Sequence, residues 1–316
     1  MMSKIKMIID CDTGIDDALA ISYILSNPDI ELLGITATYG NIDVDSSALN
    51  SLRIAELFGR KDIRVYKGAE HSWDCERYIK SPHLDRIHGN NGLGNVDLKG
   101  PEGRPEDMSA IDFIIECAKR YGSDLHLVCV GPLNNLALCL KKDEEAIKMI
   151  GDITIMGGAL TVRGNRDIYG EANIADDPAA ARYVFESPIR LNIVPLDATL
   201  KTMFRVNDIK DWSDIGPQGK ALLAIAEYYY RGEYENEDVG GAMHDPLAAF
   251  ASYDPSIITN WFDCNLTVEP TGRMIGTFEE LNLKEKRHRV ALDVDAQRFT
   301  KEYIGLVSSA LRKLCS

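Results

Sequence analysis

Short apolar runs rich in β-branched residues alternate with longer amphipathic runs, and this alternation restricts the chain to few folds. Strands are predicted at residues 7–9, 32–38, 63–66, 125–130, 152–156 and 189–194. Helices are predicted at 17–25, 46–58, 109–120, 178–185 and 219–230. Pro246 sits where a first helical turn favours proline, so a further helix is expected over 245–251. Strands at 265–268 and 289–294 and a closing helix at 299–314 complete the pattern. Such alternation predicts an α/β fold: an open, Rossmann-like, mostly parallel central sheet with helices on both faces. Its site is expected at the carboxyl ends of the strands. No repeat, low-complexity tract or Pro/Ser-rich linker divides the sequence, so residues 1–316 are read as one domain. The polar, Gly-rich stretch 68–105 is long for a connection, and loops of that length are usually functional.

Composition removes several function classes. Thirty-five Lys+Arg against 49 Asp+Glu leave a formal charge of −14, which disfavours binding to nucleic acid. No run approaches the roughly 18 apolar residues of a membrane helix. Asp10 and Asp12 fall where a signal peptide needs its apolar stretch, which argues against secretion. The seven cysteines form no CxxC pair and read as reduced thiols of a cytoplasmic protein.

The most informative segment is Met7-Ile8-Ile9-Asp10-Cys11-Asp12-Thr13-Gly14-Ile15-Asp16-Asp17-Ala18, with four carboxylates in eight positions directly after an apolar strand. Like charges packed so closely require a cation, hydrogen-bond donors or protons to offset them. Carboxylate oxygens favour Ca²⁺ or Mg²⁺ over Zn²⁺. Capping of the next helix accounts for one of these Asp residues and not for four. A haloacid dehalogenase-type phosphatase also carries Asp-x-Asp after its first strand, with the first Asp as nucleophile. Here Gly14 stands at that motif's fifth position, so the fit is partial. Cys11 lies between two carboxylates and is expected to be a poor thiolate.

Polar groups recur at other strand ends: Tyr39-Gly40-Asn41, Gly131-Pro132-Leu133-Asn134-Asn135-Leu136-Ala137, Met156-Gly157-Gly158, Glu171-Ala172-Asn173 and His244-Asp245-Pro246. Together with the acidic segment and His88-Gly89, this ordered set resembles the inosine–uridine-preferring nucleoside hydrolase family. Two positions differ from the family pattern. Thr13 stands where many members have Pro, and Asn91-Gly92-Leu93-Gly94-Asn95 replaces a more acidic loop.

The resemblance implies hydrolysis of the N-glycosidic bond of ribonucleosides with the help of Ca²⁺. By position, Asp12, Asp17, Asp245 and the Val130 carbonyl would hold the ion, and Asp12 would also take the proton of the attacking water. Asp16, Asn165, Glu171, Asn173 and Asp245 would grip the ribose hydroxyls, with Asn41 bracing the cluster and Met156 lining the ribose floor. His244 and His88 lie where the family contacts or protonates the leaving base. The partner would be a small-molecule ribonucleoside, with no nucleic acid or membrane, and the assembly a homodimer or homotetramer.

Three assignments stay open on the residues alone. Tyr228-Tyr229-Tyr230 and Tyr234 form either a core-facing stripe or, through Tyr230 or Tyr234, a platform for the base. The proton donor is His244, His88 or one of these tyrosines. The whole chain is a nucleoside hydrolase, a Mg²⁺-dependent phosphatase using Asp10, or a non-catalytic ribose-binding protein. Asp177-Pro178 is read as a purely structural helix start.

Overall fold

The computed structural model describes residues 4–233, 240–272, 274, 276–281, 283 and 285–315. The first half of the chain runs β1 (Ile5–Cys11), α1 (Ile15–Ser26), β2 (Ile30–Ala37), α2 (Val44–Leu57), β3 (Val65–Lys67), α3 (Pro82–His88), α4 (Ala110–Tyr121), β4 (Leu125–Cys129) and α5 (Asn134–Ile147). The middle runs β5 (Asp152–Met156), α6 (Ala172–Asp176), α7 (Pro178–Glu186), β6 (Asn192–Val194), α8 (Leu196–Thr199), β7 (Met203–Phe204), α9 (Val206–Ile209) and α10 (Gly216–Glu233). The last part runs β8 (Gly241–Ala242), α11 (His244–Tyr253), β9 (Ile258–Cys264), β10 (Leu266–Val268), β11 (Phe278–Glu280), β12 (His288–Val294) and α12 (Ala296–Leu314).

Eight strands form one sheet in the order β3-β2-β1-β4-β5-β6-β12-β9, all parallel except the β12–β9 pair. Because β1 and β12 share this sheet, the two ends of the chain belong to one folding unit. Met7, Ile8 and Ile9 are fully buried, as expected of a strand covered on both faces. Successive side chains of β1 enter opposite layers. Met7, Ile9 and Cys11 pack in the core with Leu19, Leu222, Phe250 and Phe299. Ile8 packs in the other core with Phe113, Leu136 and Phe185.

Helix starts follow their capping chemistry. Ser109 accepts the Asp112 N–H at the head of α4, and Asp177 accepts the Ala180 N–H at 2.8 Å ahead of Pro178. The strand order reverses at β1, whose neighbours β2 and β4 lead to opposite edges. A crevice therefore opens beyond the carboxyl ends of β1 and β4, the usual ligand position in open α/β sheets.

Several elements differ from expectation, three of them in ways the sequence explains. Helix α5 occupies residues where only a strand end was anticipated. Its amphipathic repeat is broken at Asp143, which is non-helical at φ −157°. Strand β9 was not expected, because its edge position tolerates polar Asn260 and Asp263. The 265–268 segment is a strand, but it pairs with β11 in a separate two-stranded ribbon. Among the described residues no helix is long and apolar enough to cross a membrane.

Candidate active site

The crevice at the end of β1 leads into a cavity of about 360 Å³. Asp12, Asp16, Asn41, His88, Val130, Met156, Asn165, Glu171, Asn173, His244 and Asp245 all line it. Thus residues from six separate connections, from Asp12 to Asp245, meet in one place.

Asp17 turns back on the preceding loop from the first turn of α1. Its carboxylate accepts the Asp12 N–H at 3.1 Å and the Gly14 N–H at 2.8 Å. Asn41 straddles two acids: its backbone N–H donates to Asp12 Oδ2 at 2.5 Å and its Nδ2 donates to Asp17 Oδ2 at 3.1 Å. The chain can pass this close only because residue 40 is Gly, at φ +154°; a Cβ there would collide with the Asp12 carboxylate. Asp12 Oδ1 is buried and makes no hydrogen bond among the described residues. Oxygens of Asp16, Asp17 and Asp245 lie within 4.8 Å of one another.

Asp12, Asp17 and Asp245 are buried with no basic side chain paired to them among the described residues, so burial raises the proton affinity of each. Mutual repulsion adds to this at Asp12, mainly from Asp17, and at Asp245, mainly from Asp16. An all-oxygen set of this kind suits a hard divalent cation, which would displace the protons. Val130 lines the same cavity, and its carbonyl is held by a side-chain amide. Asn173 Nδ2 donates to it at 2.9 Å and also to the Met156 carbonyl at 3.1 Å. Glu171 caps α6, accepting from the Asn173 N–H at 3.0 Å and the Gly158 N–H at 2.9 Å. Asn165 is exposed on the rim, and its Oδ1 accepts the Ala172 N–H at 2.9 Å.

Asp10 does not enter the cavity. Its Oδ1 is taken by Thr36 Oγ1 at 2.5 Å and Asn135 Nδ2 at 2.7 Å, within the sheet. Desolvation raises its pKa to about 6. A carboxylate walled in like this cannot attack phosphorus, and the phosphatase reading is overturned. Thr13, the first departure, bonds Ser51 Oγ on α2 at 2.6 Å, a contact that proline lacks. In the second, Asn91 Oδ1 accepts from the Leu93 and Asn95 N–H groups, both at 2.9 Å, so amide side chains hold this turn. The Cys11 thiol is held protonated, chiefly by burial.

The two histidines differ in kind. His244 opens α11 beside Asp245, and its Nδ1 shares a hydrogen bond of 2.7 Å with Thr199 Oγ1. His88 Nδ1 instead accepts the Ile15 N–H at 3.1 Å. Burial, then Lys80, lowers its pKa to about 3, so the ring is neutral with its proton on Nε2. The 3.9 Å separation from Asp16 is therefore not an ion pair.

Of the four tyrosines, Tyr230 is core: it is buried, and its hydroxyl bonds Met243 Sδ at 3.4 Å. This corrects its assignment to the base platform. Its neighbour Tyr229 lines the cavity, with its ring 5.8 Å from that of His88. Tyr228 ties α10 to α3 through the Asp85 carbonyl at 3.1 Å. Tyr234 lies outside the described residues.

The outer wall comes from the long connection, through Cys75, Arg77, Tyr78, His83 and Ile87. No motif in the sequence singled these residues out. Tyr78 donates to the Gly40 carbonyl at 2.8 Å. The root of this loop is held by Asp177, whose Oδ2 accepts the Trp73 N–H at 2.6 Å and Asn134 Nδ2 at 2.7 Å. The Trp73 ring lies under Lys141 Nζ at 3.3 Å. Asp177 therefore does more than start a helix.

The α/β sheet carries an acidic, oxygen-donor pocket at its switch point, and comparison with known proteins places that pocket in a family of hydrolases. The family profile "Inosine-uridine preferring nucleoside hydrolase" matches residues 7–301. The chain therefore belongs to that family. "Probable uridine nucleosidase 2" of Arabidopsis thaliana is 35% identical over 257 residues, covering 80% of this chain and 79% of that protein. "Pyrimidine-specific ribonucleoside hydrolase RihA" of Salmonella paratyphi B is 32% identical over 304 residues, covering 93% and 96%. Among solved structures, a "Purine-Preferring Ribonucleoside Hydrolase" from Gardnerella vaginalis superposes with a TM-score of 0.94 at 38% identity, covering 98% of this chain and 99% of that one.

Proposed function

We propose that this ribonucleoside hydrolase releases the base with Asp12 as general base and Ca²⁺ as its metal. The observation that carries the reading is the buried oxygen Oδ1 of Asp12, which makes no hydrogen bond among the described residues and lies on the segment that adjoins the Asp16, Asp17 and Asp245 cluster. Asp12, Asp17, Asp245 and the Val130 carbonyl are the residues that would hold the ion. Such a cation, when bound, acidifies water and provides a nucleophile near neutral pH. Asp12 accepts the proton of the attacking water. Asp16, Asn165, Glu171, Asn173 and Asp245 hold the ribose hydroxyls, and their negative charge favours the oxocarbenium character that develops on the sugar. Met156 forms the ribose floor. His244 donates toward the departing base, and neutral His88 offers a hydrogen bond through Nε2.

The named relatives include both pyrimidine-specific and purine-preferring enzymes, so base preference belongs to the loop wall and to Tyr229 rather than to the acidic cluster. All seven cysteines are free, which supports a cytoplasmic setting, and the family resemblance supports a homodimer or homotetramer.

The test is a panel of ribonucleosides, including uridine and inosine, scored for free ribose before and after strong chelation. Ribose release with stoichiometric Ca²⁺, lost on chelation, is expected. A 2′-deoxy substrate should be slower by roughly 10⁴-fold, since it leaves buried polar groups unpaired. Full activity in protein free of divalent metal would sink the proposal.

A further inference from the structure

At the opposite end of the same strands lies a second cavity, of about 470 Å³. That lies within the roughly 300–1,000 Å³ of small-molecule sites. It is lined where β5, β6 and β12 begin, by Lys148, Asp152, Ile189, Arg190, Asn192 and Arg289. Lys148 is occupied by Glu145 at 2.7 Å. Asp152 is also occupied: it accepts from Thr154 Oγ1 at 2.7 Å, Ser252 Oγ at 2.9 Å and Asn192 Nδ2 at 2.5 Å.

The two arginines are the unusual feature. Arg289 is only part-exposed. Its guanidinium lies over the Trp261 ring, 4.2 Å from the centroid, and its Nε donates to Asn192 Oδ1 at 2.6 Å. These contacts hold the plane fixed and leave both terminal nitrogens without a hydrogen bond among the described residues. Arg190 shares the cavity and has no ion pair or hydrogen bond among the described residues. Burial and the Arg190 charge both work against protonated Arg289. In a chain of net charge −14, neither of these neighbouring guanidinium groups is ion-paired among the described residues, although the Asp152 and Asp263 carboxylates lie near enough to favour the charge on Arg289. A planar guanidinium fixed by stacking presents a rigid donor fork, suited to the bidentate capture of oxyanions.

We propose that Arg190 and Arg289 form a binding site for a phosphate group, distinct from the nucleoside pocket. The cavity has room for a phosphate monoester of a small sugar as well as for free phosphate. This site does not depend on the proposed function.

The test is isothermal titration of the full chain with inorganic phosphate and with ribose 5-phosphate, at constant ionic strength in chloride, with ribose as the uncharged control. Wild type should bind saturably, and R190Q should weaken binding more than tenfold. R289K keeps the charge but loses the fork, and should weaken it at least several-fold. Binding of inorganic phosphate identifies free phosphate as sufficient, whereas binding of ribose 5-phosphate alone identifies a sugar phosphate. D16N, which alters the nucleoside pocket, should leave this binding intact. The proposal is overturned by absence of saturable binding to wild type, by wild-type affinity in R190Q, or by loss of binding in D16N.

Discussion

The backbone N–H of Asn41 donates to Oδ2 of Asp12 at 2.5 Å, while the buried Asp12 Oδ1 makes no hydrogen bond among the described residues. One oxygen is thereby anchored and the other is available for a proton. Asp12→Asn keeps the size, and its carbonyl oxygen can still face Asn41, but it places an amide where the acceptor is needed. Turnover should fall by at least the roughly 10²–10⁴-fold contributed by a positioned general base. Comparing kcat and bound metal in purified D12N checks this. A kcat within a few-fold of wild type, at equal metal content, would remove Asp12 from the base role.

Asp177 and Trp73 are 104 positions apart in sequence and meet through a 2.6 Å hydrogen bond at the root of the loop that walls the pocket. In Asp177→Asn the amide cannot accept at both oxygens, so either the α7 cap or the loop anchor is lost. The loop should loosen, and KM for natural nucleosides should rise about tenfold with kcat changed less than about threefold. Unfolding should also become easier, by roughly 1–3 kcal/mol for a buried donor left unpaired. Trp73→Ala keeps the backbone N–H that Asp177 accepts and removes only the ring beneath Lys141, so its effect on KM should be smaller than that of Asp177→Asn. A drop in Tm with KM unmoved would reduce Asp177 to a helix cap.

The sequence shows the sheet and the acidic cluster because both are local. Three apolar residues followed by Asp10, Asp12, Asp16 and Asp17 announce a strand end with a site beyond it. The roles within the cluster are not local. Asp10 and Asp12 differ by two positions, yet one meets Thr36 and Asn135 inside the sheet while the other meets Asn41 in the crevice. Only the neighbouring strands decide this. Tyr229 and Tyr230 were equally ambiguous, since a helix turns about 100° per residue and one step separates the cavity wall from the core. Tyr78 and Trp73 escaped notice because their partners, Gly40 and Asp177, come from distant connections.

His288 gives a pH dependence far from the acidic cluster. Its Nε2–H donates to the Phe185 carbonyl at 3.0 Å and its Nδ1 accepts the Leu191 N–H at 3.3 Å, which requires the neutral ring. Burial, partly opposed by the Phe185 hydrogen bond, lowers its pKa from 6.5 to about 4. Between those values the unfolded chain binds a proton that the folded one refuses. The contribution is therefore complete above about pH 6.5 and is lost as pH falls toward 4, amounting to at most ~3 kcal/mol. His288→Gln carries a donor and an acceptor but does not titrate. The Tm gap between wild type and H288Q should narrow on acidification from pH 7 to pH 5. A pH-independent gap would show that His288 does not titrate on unfolding. The comparison is differential because the raised acids of the site act in the opposite sense in both proteins.

The leaving base needs a proton or a hydrogen bond, and the geometry separates the two candidates. His88 is neutral and committed at Nδ1 to Ile15, so it can hydrogen-bond but does not deliver a proton as an imidazolium. His244 sits beside Asp245, with Nδ1 bonded to Thr199 Oγ1, and is the proposed donor. His244→Ala should lower kcat for uridine or inosine by roughly 10²–10⁴-fold. It should spare p-nitrophenyl riboside, whose leaving group departs as a stable anion. His88→Gln supplies an amide in place of the ring N–H and should cost less on natural substrates. Equal losses on both substrates for H244A would point to disturbed Asp245 geometry. Full activity of H244A on natural nucleosides would move the donor to another residue, with Tyr229 next in line on the same wall.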